Sequence, residues 1–301
     1  MRLRTTLFIG TGSVLLVLLL LAGIFLYVLL HRTPGAYFES NGVRIFYSVE
    51  GSGTPLILVH GIGVNADLNW RRPGVTRMLA KNFQVISYDL RGHGRSDKPE
   101  VPAAYGVKMA EDIVRLMDHL EIRRAHVAGY SLGGFLALKA VTLHPERFIS
   151  ASICAAGRKD PNDPSPPPNP YKPPENTDTR KVETASVFAA ATPKSLFNRI
   201  RGSIGDRIIS RPVRTALKAG YQELAVEQSL LEKNTVPMLN IIGDHDGLLP
   251  LAHDLVAVTA NLEAREIPGA THFSLPFKKA FKEGLREFLL RHDKKAVPPG
   301  S

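Results

Sequence analysis

The sequence predicts an α/β protein: a mostly parallel central sheet with helices on both faces, an inserted helical cap, and one N-terminal transmembrane helix ahead of the sheet. Three observations predict it. Short apolar runs of strand type recur between longer stretches with helical spacing, the pattern of a parallel sheet with crossover helices. Gly129-Tyr130-Ser131-Leu132-Gly133 stands between one such run and a helical stretch. An uncharged run from Leu7 to Leu30 is longer than the ~20 residues that cross a bilayer.

The N-terminal run reads as an uncleaved anchor over residues 1–32, because no small-residue cleavage site follows it. Arg2 and Arg4 precede it while His31 and Arg32 follow, which places the N-terminus in the cytoplasm and the main domain outside, in a periplasm or lumen. The remainder of the 301 residues, in a chain that is 44% hydrophobic, suffices for one large core. The net charge of +10 comes from scattered residues without a nucleic-acid module, so no nucleic-acid partner is expected. No Cys/His cluster has metal-ligand spacing and no glycine-rich phosphate loop precedes a Lys-Ser/Thr pair, so neither a metal nor a cofactor is expected. The single cysteine, Cys154, lies in the apolar run 148–156 and reads as a small buried hydrophobe.

Along the chain the candidate chemistry begins at Ser131. A serine on a sharp strand-to-helix turn has its hydroxyl exposed for attack, and flanking glycines let strand and helix approach. Residues 124–129 supply the strand and residues 134–141 the helix. Such a hydroxyl needs a base of near-neutral pKa and an acid to orient that base. Both lie downstream. The strand-like run 237–242 leads into Gly243-Asp244-His245-Asp246, a loop with two candidate acids, and the strand-like run 264–267 leads into Gly269-Ala270-Thr271-His272.

The order Ser, Asp, His, together with these motifs, resembles the α/β-hydrolase superfamily from about residue 42 to residue 290. The resemblance is carried further by Leu56-Ile57-Leu58-Val59-His60-Gly61, similar to the strand and His-Gly turn of that family, and by Asp89-Leu90-Arg91-Gly92-His93-Gly94 after the next strand. It implies the α/β-hydrolase fold, with Ser131 as nucleophile, His272 as base and Asp246, rather than Asp244, as the acid. It also implies an oxyanion hole made by the backbone amides of Ile62 and Leu132. Relatives that attack carbon through a carboxylate carry Asp where this chain has Ser131, so acyl chemistry through a serine ester is expected.

Domain boundaries follow: an anchor at 1–32, a first core segment at 33–156, a cap at 157–235 with a Pro-rich start, a second core segment at 236–292 and a flexible tail at 293–301. Proline removes donors, so the stretch 160–174 reads as an extended, solvated linker or flap. Beyond it, Leu196, Phe197, Ile200, Ile204, Ile208, Ile209, Val213 and Leu217 alternate with Lys194, Arg199, Arg201, Arg207, Arg211, Arg214 and Lys218. A basic amphipathic stretch of this kind either roofs a pocket or lies on a membrane surface. The expectation is a membrane-anchored serine carboxylesterase or lipase for small-molecule or lipid esters with an acyl chain, like the membrane-attached monoacylglycerol lipase-like members of the family. The alternatives are another serine-triad reaction (C–C bond, amide or lactone hydrolysis) and a ligand-binding receptor on a hydrolase scaffold.

Overall fold

The computed structural model describes residues 33–172 and 209–293, together with Leu16, Leu19, Leu20 and Gly23. Eight strands form one sheet in the order β1-β2-β4-β3-β5-β6-β7-β8. They are β1 (Ala36–Ser40), β2 (Val43–Glu50), β3 (Thr54–Val59), β4 (Phe83–Tyr88), β5 (Ala125–Tyr130), β6 (Phe148–Cys154), β7 (Met238–Gly243) and β8 (Leu262–Ile267). β2 runs antiparallel to both neighbours, and every pairing from β4 to β8 is parallel.

The burial pattern explains this arrangement. The central strand β5 is buried along its whole length, as are β7 and most of β3, because helices cover both faces of a parallel sheet. The outermost strand β8 alternates partly buried and exposed residues. One core, with Ile57, Val59, Val127 and Phe135, packs against α2 (Val107–His119) and α3 (Leu132–Leu143) and takes in Val213, Leu217, Leu231 and Leu255 from the chain that follows β6. The opposite face holds Leu56, Leu58, Ala128, Leu239 and Ile241 against Phe281, Leu285 and Phe288 of α7 (Lys279–Asp293). The remaining helices are α1 (Val75–Leu79), α4 (Arg211–Ala219), α5 (Gln228–Glu232) and α6 (Leu249–Val258).

Beside this sheet Arg91 and Asp112 form a buried ion pair. Arg91 and Asp112 are 1% and 0% exposed and meet at 2.6 Å, while Arg91 also donates to the Ala104 carbonyl at 2.7 Å. Ser40 of β1 donates its hydroxyl to the same carboxylate. This fixes the start of the loop after β4 against α2. Asp89, at the same loop, accepts the amides of Ala66 at 3.1 Å and Arg95 at 2.8 Å, so its carboxylate serves the backbone.

Two expectations are corrected by the fold. The transmembrane helix is not supported: among the described residues no helix is long and apolar enough to cross a membrane. The expected span 7–30 lies outside the described residues except at the four positions named above, which are helical. The single-pass topology, the outward-facing domain and a membrane partner reached through that helix therefore lose their basis. The second correction concerns the basic amphipathic stretch. Where it is described, Ile209, Val213 and Leu217 are buried in the core, so this apolar face is already occupied by protein. Residues 194–208 lie outside the described residues.

Candidate active site

Ser131 stands between β5 and α3 with φ 55° and ψ −120°, a backbone conformation that costs on the order of 1–3 kcal/mol and persists only where its surroundings enforce it. Here they do. A Cβ on Gly129 would lie 2.0 Å from the Gly133 carbonyl oxygen, and one on Gly133 would lie 2.2 Å from that of Val59, so the turn is as tight as the motif predicts. The Ser131 amide donates to the Cys154 carbonyl at 2.9 Å, which ties the turn to β6.

The loop after β7 brings Asp246 beneath His272 from the loop after β8. Asp246 is fully buried; its Oδ2 lies 2.7 Å from His272 Nδ1, and its Oδ1 accepts the Leu248 amide at 2.9 Å. Nε2 of His272 lies 2.9 Å from Ser131 Oγ. With Nδ1–H donated to the carboxylate, Nε2 is left as the acceptor for the serine hydroxyl, the tautomer a general base needs. Asp244 points elsewhere and pairs with the neighbouring His245. Of the two carboxylates of the acid loop, it is Asp246 that meets His272.

The turn after β3 meets this group from the other side. His60 donates Nδ1–H to the Gly61 carbonyl at 2.7 Å and accepts the Leu90 amide on Nε2 at 2.9 Å. Burial lowers its pKa from 6.5 to about 4, so it is neutral at pH 7. The Gly61 amide is held by Asn69 Oδ1 at 2.8 Å. A Cβ on Gly61 would come 3.1 Å from Ser131 Cβ, which puts the His-Gly turn directly against the serine. Leu132 opens α3, so its amide is one of the first-turn donors without an intrahelical acceptor.

A cavity of about 280 Å³ joins these pieces. Ser131, His272, Gly61 and Ile62 line it together with the apolar residues Val64, Leu68, Pro73, Phe273, Pro276 and Phe277. Asn69 and Arg72 also line it. Arg71, next in the chain, is paired with Glu50 at 2.6 Å and Asp67 at 2.8 Å; Arg72 has no carboxylate partner among the described residues.

Sequence reasoning missed several cavity residues, Arg72 among them. Asn69 follows the His-Gly turn in an undistinguished helical stretch, and its role emerges only from the contact with Gly61. Tyr130, the residue before the nucleophile, donates its hydroxyl to the His272 carbonyl at 2.6 Å. Tyr171 comes from the Pro-rich stretch read as a solvated linker, yet its ring packs edge to face with the His272 ring at 5.5 Å. The physical error was to equate missing donors with missing contacts, since proline carbonyls still accept hydrogen bonds.

Residues 54–279 match the family described as alpha/beta hydrolase fold. A 2-hydroxymuconate semialdehyde hydrolase from Pseudomonas sp. (strain CF600) is 40% identical over 109 residues, which cover 35% of this chain and 38% of that protein. Several other curated relatives are likewise spanned over 27–43% of their length. Among solved structures, a meta-cleavage product hydrolase from Pseudomonas fluorescens IP01 is 22% identical with a TM-score of 0.60, covering 85% of this chain and 98% of that one. A membrane phospholipase A described as a bacterial virulence factor is 21% identical with a TM-score of 0.68, covering 95% of this chain and 98% of that one. At these identities the structural likeness shows the fold alone. The expectation of a membrane-anchored, monoacylglycerol lipase-like carboxylesterase for acyl-chain esters is corrected: the relatives include a 2-hydroxymuconate semialdehyde hydrolase, and among the described residues no helix is long and apolar enough to cross a membrane.

Proposed function

We propose, from the premise that this chain belongs to the α/β hydrolase fold family and is a serine-type hydrolase, that it hydrolyses a carbon–carbon bond beside a carbonyl group in a small substrate bearing a carboxylate. Ser131 is the nucleophile, His272 the general base and Asp246 the residue that orients it. The amides of Ile62 and Leu132 receive the developing oxyanion.

Ser131 Oγ adds to the carbonyl carbon as His272 takes its proton. In a 2-hydroxy-6-oxo-dienoate the enol must already have ketonised, its O–H proton lost and a proton gained on the carbon beside the attacked ketone. The bond to that carbon then breaks, its electron pair passes into the conjugated 2-oxo group of the leaving fragment, and His272 returns a proton to the resulting enolate. Water, activated by the same imidazole, releases the acyl group from Ser131 as a carboxylic acid. The apolar cavity walls exclude other water during these steps.

The observation that carries this reading is the cavity itself: small, apolar, and open to Ser131, with Arg72 and Asn69 as polar side chains suited to a carboxylate. The likeness to a 2-hydroxymuconate semialdehyde hydrolase, 40% identical over 109 residues, supports it over ester cleavage. The test is a competition of substrates matched in size. A conjugated 2-hydroxy-6-oxo-dienoate, followed by loss of its visible absorbance, should show kcat/KM about tenfold or more above that of p-nitrophenyl acetate. Turnover of the ester with an inert dienoate would overturn the assignment.

A further inference from the structure

The Pro-rich stretch is fastened to the core along its length. The ammonium group of Lys159, a residue only 4% exposed, donates to the Asp163 and Ser165 carbonyls at 2.7 and 2.8 Å. Gln222 donates to the Pro164 carbonyl at 3.0 Å, and the amide of Gly247 to the Pro170 carbonyl at 3.1 Å. At its described end, Asn169 Oδ1 accepts the Tyr171 amide at 3.0 Å and the Asn169 carbonyl accepts the Lys172 amide at 3.1 Å, which closes a tight turn. That turn sits on the residue after Asp246: a Cβ on Gly247 would lie 2.0 Å from the Asn169 carbonyl oxygen and 2.5 Å from that of Lys172.

The turn projects Tyr171 over the site. Its ring stands at 87° to the His272 ring with centroids 5.5 Å apart, while Tyr130 packs on the same imidazole from the core at 5.6 Å. His272 thus has one tyrosine from the strand before the nucleophile and one from the strap. A base that must reach both Ser131 and a leaving group works only in a narrow range of orientations, and misplacement by about 1 Å can cost a hundredfold.

We infer that Tyr171 is a positioning residue for His272, and that the Pro-rich stretch is the strap that holds it there through the Asn169 turn and Gly247. The inference rests on the reading of His272 as the general base. Because Tyr171 is 68% exposed, its truncation leaves the core intact.

The test measures the rate at which a fluorophosphonate probe acylates the full-length protein, which needs no knowledge of the substrate. Tyr171→Ala should slow acylation by about tenfold with an unchanged melting temperature, and Tyr171→Phe, which keeps the ring, should restore most of the rate. Asn169→Ala should slow it in the same direction, and the double variant should be no slower than Tyr171→Ala alone, because both act through one contact. A Tyr171→Ala rate within about twofold of the parent, or additive losses in the double variant, would make the strap a spacer only. His272→Ala labelled at the parental rate would instead remove the base assignment, and the inference with it.

Discussion

Nε2 of His272 lies 2.9 Å from Oγ of Ser131, although 141 residues of chain separate them. The approach is produced by the sheet: β5 carries the serine to the carboxyl edge, and the loops after β7 and β8 bring the acid and the histidine to that edge. Functional groups of open parallel sheets gather there because all such loops emerge on one side.

If these groups act as a unit, Ser131→Ala and His272→Ala should each lower turnover by about a thousandfold or more, measured as kcat on the best substrate, with the far-ultraviolet dichroism unchanged. Asp246→Asn should cost much more than Asp244→Asn, since Asp244 serves His245. Equal and small effects of the two Asp changes would refute the acid assignment.

The glycines of the turn set a second expectation. Gly133→Ala places a methyl 2.2 Å from the Val59 carbonyl oxygen, a backbone atom that no side-chain rotation can move away. The variant should lose both labelling by a fluorophosphonate and a substantial part of its unfolding free energy in a denaturant titration. Gly63→Ala provides the contrast: its Cβ meets nothing within 4 Å, and its positive φ of 76° is the one source of strain, so it should cost about 1–2 kcal/mol or less.

How much of this was legible follows from the kind of interaction involved. Gly129, Ser131 and Gly133 were legible because steric limits on a sharp turn act over five adjacent residues. Asp246 and His272 were legible through their order and loop context, although choosing Asp246 over Asp244 relied on the family resemblance. Tyr130 and Tyr171 were not, since each works through His272, far away in sequence, and Asn69 was not, since its contact with Gly61 depends on how the turn after β3 folds back and leaves no local pattern. The N-terminal apolar run is a strong local property, but among the described residues no helix is long and apolar enough to cross a membrane, and most of the run lies outside them.

The buried ion pair gives a third prediction. Asp112→Ala leaves Arg91 charged and unpaired in the interior and should destabilise by about 3–5 kcal/mol in equilibrium unfolding. Asp97→Ala breaks a pair with Arg44 whose side chains are 61% and 45% exposed, and should cost about 1 kcal/mol or less.

Buried neutral histidines give a pH dependence. Burial lowers His60 from 6.5 to about 4 and His93 to about 3. Below pH 6.5 the unfolded chain therefore binds protons that the folded chain refuses, and stability falls as pH drops from about 6.5 toward these values. Asp89 and Asp112, raised by burial, bend the curve the other way, so the informative quantity is a difference. His93→Asn should lose less stability than the parent between pH 7 and pH 5, as read from denaturation midpoints; parallel curves would contradict the assignment.

The most direct measurement is peptide mass spectrometry of the protein after reaction with a fluorophosphonate. The geometry predicts one covalent adduct, on the peptide containing Ser131, formed rapidly in the parent and at least about a hundredfold more slowly in His272→Ala. An adduct on any other residue, or none on folded protein, would contradict the triad.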